Sequence, residues 1–410
     1  MKKRFGIVIF LIACLVMLCA CDKGGAVDER KIVANELTAS VQSREVETKD
    51  VDDVFVRAYG DFSVKMIQSL YKGDNVCISP LSISVALGMV TNGAVGETKA
   101  ELESLFGLSA NELNAYYAKL MQNSGEEEKL HIANSLWTRQ NAVNVENDFL
   151  DIVKNYYAAQ VYESAFDDQT ITDINNWVYK HTRGGIDKIV DTISDEEVLI
   201  LLNALDFDSE WKEKFTPDSV RDRTFNGTDK ESTVSMMFNE EHMYFTLDNA
   251  QGFAKQYEGG EYKFAAILPD ENVSITDFVN GLTGEKLARA LANIQNRSVN
   301  IGLPKFDLEQ SLDLVGALEK LGVKKAFSGG DFSALGSTPN GGLYLTSVVH
   351  KTHITVDEAK TKASAVTEIL FGDSGPMQDP TPSVILNRPF VYMILDSANL
   401  PLFVGVITNL

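Results

Sequence analysis

The spacing of apolar and polar positions changes period several times along the chain, and each change marks an element. Residues 55–71 carry apolar side chains at three- and four-residue intervals, which predicts a helix closed by Gly73 and Asp74. Residues 75–78 predict a short buried strand. Ser79 and Pro80 then offer a capping hydroxyl and a first-turn proline, and 83–89 supply the apolar face of a second helix. After a turn at 93–98 a further helix runs through Phe106 and stops at Gly107. Strands are predicted over 130–138, 198–207, 233–237, 243–246, 263–268, 299–306, 343–356, 390–395 and 402–407. Helices are predicted over 149–158, 171–182, 278–294 and 312–321. Residues 198–207 are apolar on both faces, as a strand covered on both sides requires. Strands and helices do not alternate one for one, so the pattern predicts an α+β architecture rather than a doubly wound one.

The stretch 356–389 behaves differently. Thr361, Ala363, Ala365 and Thr367 fall on one side of an extended chain, followed by Ile369 and Phe371. Lys360, Lys362, Ser364, Val366, Glu368 and Leu370 fall on the other. The first four of the first set are small, which suits a strand that must pass between two others. Gly372, Gly375, Pro376, Pro380 and Pro382 then break the pattern, because proline cannot donate to a central ladder. A strand-competent segment runs into a proline-rich exposed loop. Taken alone, that describes an edge strand and a surface loop.

Composition narrows the class. The chain has 410 residues, is 44% hydrophobic, and carries a formal net charge of −21. An acidic surface argues against nucleic acid as a partner, since phosphate contacts need clustered Lys and Arg. Lys2, Lys3 and Arg4 precede an apolar run over 6–18 that is too short to span a bilayer comfortably, which predicts an export signal. The run ends in Leu18-Cys19-Ala20-Cys21, which resembles a bacterial lipobox with Cys21 as the lipidated residue. Leu11-Ile12-Ala13-Cys14 also fits, but cutting there would leave apolar 15–18 on the mature end. A cleaved signal without lipid is the alternative. The expected organisation is a signal over 1–21, a polar tether over 22–50, and one domain over 51–410, exported and lipid-anchored to a bacterial envelope (outer membrane or cell surface) or secreted. Of the four cysteines only Cys77 lies outside the signal and the lipidation site, so no disulfide framework is expected. His350 and His353 lack a third ligand at metal spacing, and no metal or cofactor is expected. There is no HExxH, G-x-S-x-G or Gly-rich phosphate loop, which argues against an enzyme.

Several groups of residues, taken in order, resemble the serpin family over 54–410. Asn75 with Ser79-Pro80-Leu81-Ser82-Ile83, then Gly93-Ala94 and Thr98, is similar to the family's second helix. Ile174-Asn175-Asn176-Trp177-Val178 with Thr182 and Gly184 resembles another signature. Asn203-Ala204 with Phe207 and Trp211 resembles the third strand of the family's large sheet and its turn. Leu303-Pro304-Lys305-Phe306 resembles a later strand of that sheet. Val349-His350-Lys351 with Glu358, Thr361 and Thr367 resembles the fifth strand and the hinge. Asn387-Arg388-Pro389-Phe390 and Pro401-Leu402-Phe403-Val404-Gly405 resemble the closing segment.

The resemblance implies a serpin fold of about eight or nine helices around three sheets, with an exposed reactive loop over about 358–386. It also implies an irreversible inhibitor: a protease cuts the loop, and the loop's first half enters the large sheet as a strand before the acyl-enzyme can hydrolyse. Roughly sixteen residues at about 3.4 Å each would carry the protease roughly 50 Å. The hinge would be Glu358, Lys360, Thr361, Ala363, Ala365 and Thr367, with Ser79, Ser82, Asn203, His350, Trp211 and Lys305 around the sheet opening. Two pairings are expected within that set: His350 with Asn203 or a serine, and Lys305 with Glu358. Lys360 and Lys362 stand where inhibitory members usually have Gly and Glu, and Val366 exceeds the usual Ala, so insertion is expected to be slower. Counting from Glu358 places the cleaved bond at Ser374–Gly375. Counting back from Pro389 places it at Met377–Gln378 or Gln378–Asp379, and Phe371 is a further alternative. With no Arg or Lys between Glu368 and Asn387, the expected partners are serine endopeptidases of elastase, chymotrypsin or subtilisin type, and papain-like cysteine proteases. The expected state is a monomer.

Overall fold

In the computed structural model, helix α1 (Asp53–Leu70) is capped by Asp52, whose carboxylate accepts the backbone N–H groups of Val54 and Phe55. It buries Phe55, Tyr59, Phe62 and Met66, a three- and four-residue spacing that makes one apolar face. The structure describes residues 30–122, 129–182, 184, 186–195, 197–339, 343–345, 348–358 and 381–410. Ile32–Leu410 is one unit by internal contact, and Met1–Lys31 is a second, of which only 30 and 31 are described.

The remaining helices among the described residues are α2 (Pro80–Thr91), α3 (Gly96–Phe106), α4 (Ala110–Gln122), α5 (Asn147–Tyr157), α6 (Asp168–His181), α7 (Ile275–Gly281), α8 (Gly284–Ala292) and α9 (Val315–Lys320). The strands are β1 (Asn35–Glu36), β2 (Val76–Ile78), β3 (Leu130–Arg139), β4 (Asn144–Val145), β5 (Gln160–Ser164) and β6 (Leu199–Phe207). They continue with β7 (Val220–Asn226), β8 (Glu231–Leu247), β9 (Ala250–Gln256), β10 (Lys263–Pro269), β11 (Gln295–Pro304) and β12 (Phe306–Asp313). The last are β13 (Gly336–Ser337), β14 (Val349–Val356), β15 (Ser383–Ile385), β16 (Phe390–Leu395) and β17 (Pro401–Ile407).

One sheet runs β15-β11-β8-β9-β10-β16-β17-β2, with β7 paired to β8. A second is β1-β5-β3-β6, and β12-β14 form a separate antiparallel pair beside it. Helix α2 is the hub. All of its residues are buried, and it packs against β6, β17, α3 and α4. A Cβ on Gly88 would stand 2.8 Å from the Tyr117 ring, so glycine allows that close approach. Helix α6 covers the outer face of β3 and β6 and makes a smaller core there from Trp137, Tyr162, Ile174, Trp177, Ile200 and Leu202.

Six expectations are corrected. The stretches expected as separate strands at 233–237 and 243–246 are one strand, β8, because the polar residues between them, Asn239 to Glu241, stay in the ladder with β11. The helix expected over 278–294 is two, since Thr283 caps α8 by accepting the Lys286 N–H. The strand expected over 299–306 ends at Pro304, and β12 begins a new pairing at Phe306. The long strand expected over 343–356 begins only at Val349, and the helix expected over 312–321 begins at Val315. The polar tether expected over 22–50 is, from Ile32 onward, laid on the body. There β1 pairs with β5, the Lys154 ammonium donates to the Thr38 and Val41 carbonyls at 2.8 and 2.6 Å, and Arg44 pairs with Asp151. The apolar residues Ile32, Ala34, Leu37 and Val41 seat that arm.

Candidate functional site

Strands β6 and β14 lie side by side and run in parallel, yet they do not form a ladder. Each is fully paired on its far edge, β6 with β3 and β14 with β12. On the facing edges the one pairing among the described residues is the parallel bridge Leu201–Val348 at their N-terminal ends. Above it neither facing edge pairs with another strand among the described residues, and such an edge is a template for a strand. The chain leaves β14 at its far end and must reverse direction to return. A segment that folded back into this slot would run antiparallel to both neighbours.

Beneath the slot a line of buried polar groups crosses from one strand to the other. The N-terminus of α2 supplies its centre, and local sequence explains why: Ser79 caps the helix by accepting the Ser82 N–H, and Pro80 fills its first turn. On one side the Ser79 backbone N–H donates to His350 Nε2 at 2.9 Å. That nitrogen accepts, so the ring is neutral with its proton on Nδ1. Burial pushes the His350 pKa down to about 4. On the other side Ser82 Oγ donates to Asn203 Oδ1. Asn203 Nδ2 donates to Asn134 Oδ1 at 2.6 Å, and Asn134 Nδ2 donates to the Tyr157 carbonyl at 3.0 Å. Thus, beyond the Leu201–Val348 bridge, β14 and β6 are held through one helix terminus rather than through each other.

At the far end of the slot two consecutive residues are tied down. The Trp211 indole N–H donates to the Asp357 carbonyl at 2.8 Å. Trp211 itself stacks on Tyr257, ring centroids 4.5 Å apart and 8° from parallel. Next along the chain, the Glu358 carboxylate meets the Lys305 ammonium at 2.5 Å, and that cation holds the carboxyl below its usual range. Both side chains are about a third exposed, so the pair contributes about 0.5–1 kcal/mol. The far side of the loop is anchored too. Asn300 N–H donates to the Pro382 carbonyl, and β15 pairs in parallel with β11.

The structure therefore brings Ser79, Ser82, Asn203 and His350 together under the slot, and Trp211, Lys305 and Glu358 at its end. Lys360, Thr361, Ala363, Ala365 and Thr367, the candidate bonds at Phe371, Ser374, Gly375, Met377 and Gln378, and Cys21 lie outside the described residues. Sequence reasoning missed Asn134, although an asparagine amid the apolar run of β3 was a usable signal. It also missed Lys255 and Glu241, a buried ion pair beside Trp211. His353 pairs with Asp307 on the surface, and no group of three metal-ligating side chains occurs among the described residues.

The model of the family Serpin (serine protease inhibitor) matches residues 57–410. An uncharacterised serpin-like protein of Thermococcus kodakarensis is 30% identical over 367 residues, covering 86% of this chain and 85% of that protein. Alpha-1-antitrypsin of Meriones unguiculatus is 33% identical over 373 residues, covering 86% and 88%. Among solved structures, the thermophilic serpin tengpin in its native state has a TM-score of 0.85 at 39% identity, covering 92% of this chain and all of that one. The same protein in its latent state has a TM-score of 0.78.

Proposed function

Since the chain belongs to the serpin family, we propose that it is an irreversible suicide-substrate inhibitor of serine endopeptidases, and of papain-like cysteine proteases. The observation that carries this reading is the unpaired slot between β6 and β14, with the loop leaving β14 at the slot's end. The protease nucleophile attacks a loop carbonyl, the peptide bond breaks, and the new amino terminus stays with β15. The acylated half is then free to reverse and fill the slot. Each residue that pairs on both edges gains hydrogen bonds worth about 1 kcal/mol net, so a full strand is worth on the order of 10 kcal/mol. That gain pulls the acyl-enzyme away from the geometry it needs to hydrolyse. Thr361, Ala363, Ala365 and Thr367 are small enough to face the core in that strand.

The cleaved bond in this reading is Ser374–Gly375, with Met377–Gln378, Gln378–Asp379 and the bond after Phe371 as alternatives. The test is incubation with elastase, chymotrypsin, subtilisin, trypsin and papain, followed by a denaturing gel and the mass of the released C-terminal peptide. A complex that survives denaturation is expected. Clean cleavage by every enzyme with no complex favours the second reading, a binding protein whose loop is cut without trapping. Lys360 and Val366 are the observations on its side. Thyroxine-binding globulin, solved in complex with thyroxine, has a TM-score of 0.75 to this chain at 25% identity.

The export reading is part of the same proposal: signal removal before Cys21 and lipidation of its thiol, anchoring the domain to a bacterial envelope. Detergent-phase partitioning of the expressed protein, lost in Cys21→Ser, is the expected result.

A further inference from the structure

Lys255 is the most deeply buried cation among the described side chains in ion pairs, at 1% exposure. Its ammonium meets Glu241 Oε1 at 2.5 Å, and Glu241 also accepts from Asn239 Nδ2 at 3.0 Å. Two aromatic rings stand over it as well. The ammonium lies 4.7 Å from the Phe215 ring centre and 5.7 Å from that of Trp211. A leucine or methionine would fill this place on β9 without desolvating a charge. Replacing a buried ion pair by apolar groups is often neutral or stabilising, so the pair is not there for global stability. What it adds is direction. An ammonium fixed by a carboxylate attracts the faces of Phe215 and Trp211 and holds them in one arrangement.

Trp211 is the residue through which this matters. Its N–H retains the Asp357 carbonyl, and Glu358 follows with its tie to Lys305. Of these ties, the Lys305–Glu358 pair is solvent-accessible and weak, whereas the indole, 5% exposed, is enclosed. We propose that the buried Lys255–Glu241 pair is the positioning element of the loop's pivot. It seats the Trp211 indole so that the N–H holds Asp357 at the end of the slot between β6 and β14, and release of that bond is what strand entry requires. This inference rests on the inhibitory reading above, because it concerns the same insertion.

Five proteins are compared: wild type, Lys255→Met/Glu241→Leu, Trp211→Phe, the triple combination, and Lys255→Arg. The double replacement removes the pair without orphaning either charge. Each is held below its unfolding temperature, and the conversion of intact chain to a form with a raised thermal midpoint is followed. The double variant is expected to convert about tenfold faster, the equivalent of about 1.4 kcal/mol at the barrier. Its urea midpoint is expected to stay at the wild-type value or rise, which a merely structural role would not combine with faster conversion. Trp211→Phe, which lacks the N–H, is expected to convert as fast, and the triple variant no faster than either. Lys255→Arg, which keeps the charge, is expected to restore slow conversion. The Trp211 emission, taken as the double variant minus the triple, is expected to be shifted from that taken as wild type minus Trp211→Phe. Wild-type conversion in the double variant, or full additivity in the triple, would overturn the proposal. Wild type cleaved in its loop is the control. If its midpoint does not rise, insertion itself is absent, and the inhibitory reading falls together with this one.

Discussion

The backbone N–H of Ser79 donates to Nε2 of His350, and this one bond ties the start of α2 to β14 across the floor of the slot. It exists only while the imidazole is neutral. In the folded chain burial holds the His350 pKa at about 4, against 6.5 when exposed. As pH falls through 6.5 the unfolded chain takes up a proton that the folded chain refuses. Stability therefore drops between about pH 6.5 and 4 and levels off below, by about 3 kcal/mol at full extent. His181, partly buried beside His131 and pushed down to about 4 by that burial, contributes in the same window and direction. Urea unfolding at a series of pH values should show this slope, and His350→Gln should reduce it while leaving the share due to His181.

The next step of the polar line predicts a coupling. Asn203→Ala removes the acceptor of Ser82 and the donor to Asn134, stranding two buried groups. The expected cost is about 2–3 kcal/mol in denaturant unfolding. Ser82→Ala and Asn203→Ala together should cost less than the sum of the two, with an interaction energy of at least about 0.5 kcal/mol.

Lys305→Ala should have a small effect, about 0.5–1 kcal/mol, and one that fades with added salt. The exchange Lys305→Glu with Glu358→Lys should recover most of it. A cost of several kcal/mol, insensitive to salt, would mean that the pair is more enclosed than its exposure implies.

Thr361→Arg should turn an inhibitor into a substrate. A guanidinium on the inward side of an inserted strand would be buried unpaired, at a cost of several kcal/mol that slows insertion and lets hydrolysis win. The gel should show the released fragment without the complex. A variant that still traps every protease molecule would show that Thr361 does not enter the core.

What could be read in advance follows from the range of each signal. The start of α2 was legible, because Ser79, Pro80 and the apolar run after them act on one another within a turn. Asn203 and His350 were legible only through resemblance, since their partners lie 121 and 271 residues away. Asn134 stood out in the apolar run of β3, but its partner Asn203 lies 69 residues away, so its role could not be read locally. Lys255 and Glu241 read as ordinary strand polar residues, because nothing local says that Trp211 and Phe215 will cover them. The arm from Ile32 was misread for the opposite reason. Its ordered pairing is only two residues long, and its anchors Asp151 and Lys154 belong to α5, far along the chain. The slot itself cannot be seen in any periodicity, since it consists of hydrogen bonds that β6 and β14 do not make.

The most direct test of the account is the thermal midpoint before and after one cut in the loop, with both fragments retained. Filling the slot should add on the order of 10 kcal/mol, which for a chain of this size raises the midpoint by on the order of 10 °C or more. An unchanged or lowered midpoint after complete cleavage would contradict strand insertion between β6 and β14, and with it the mechanism proposed here.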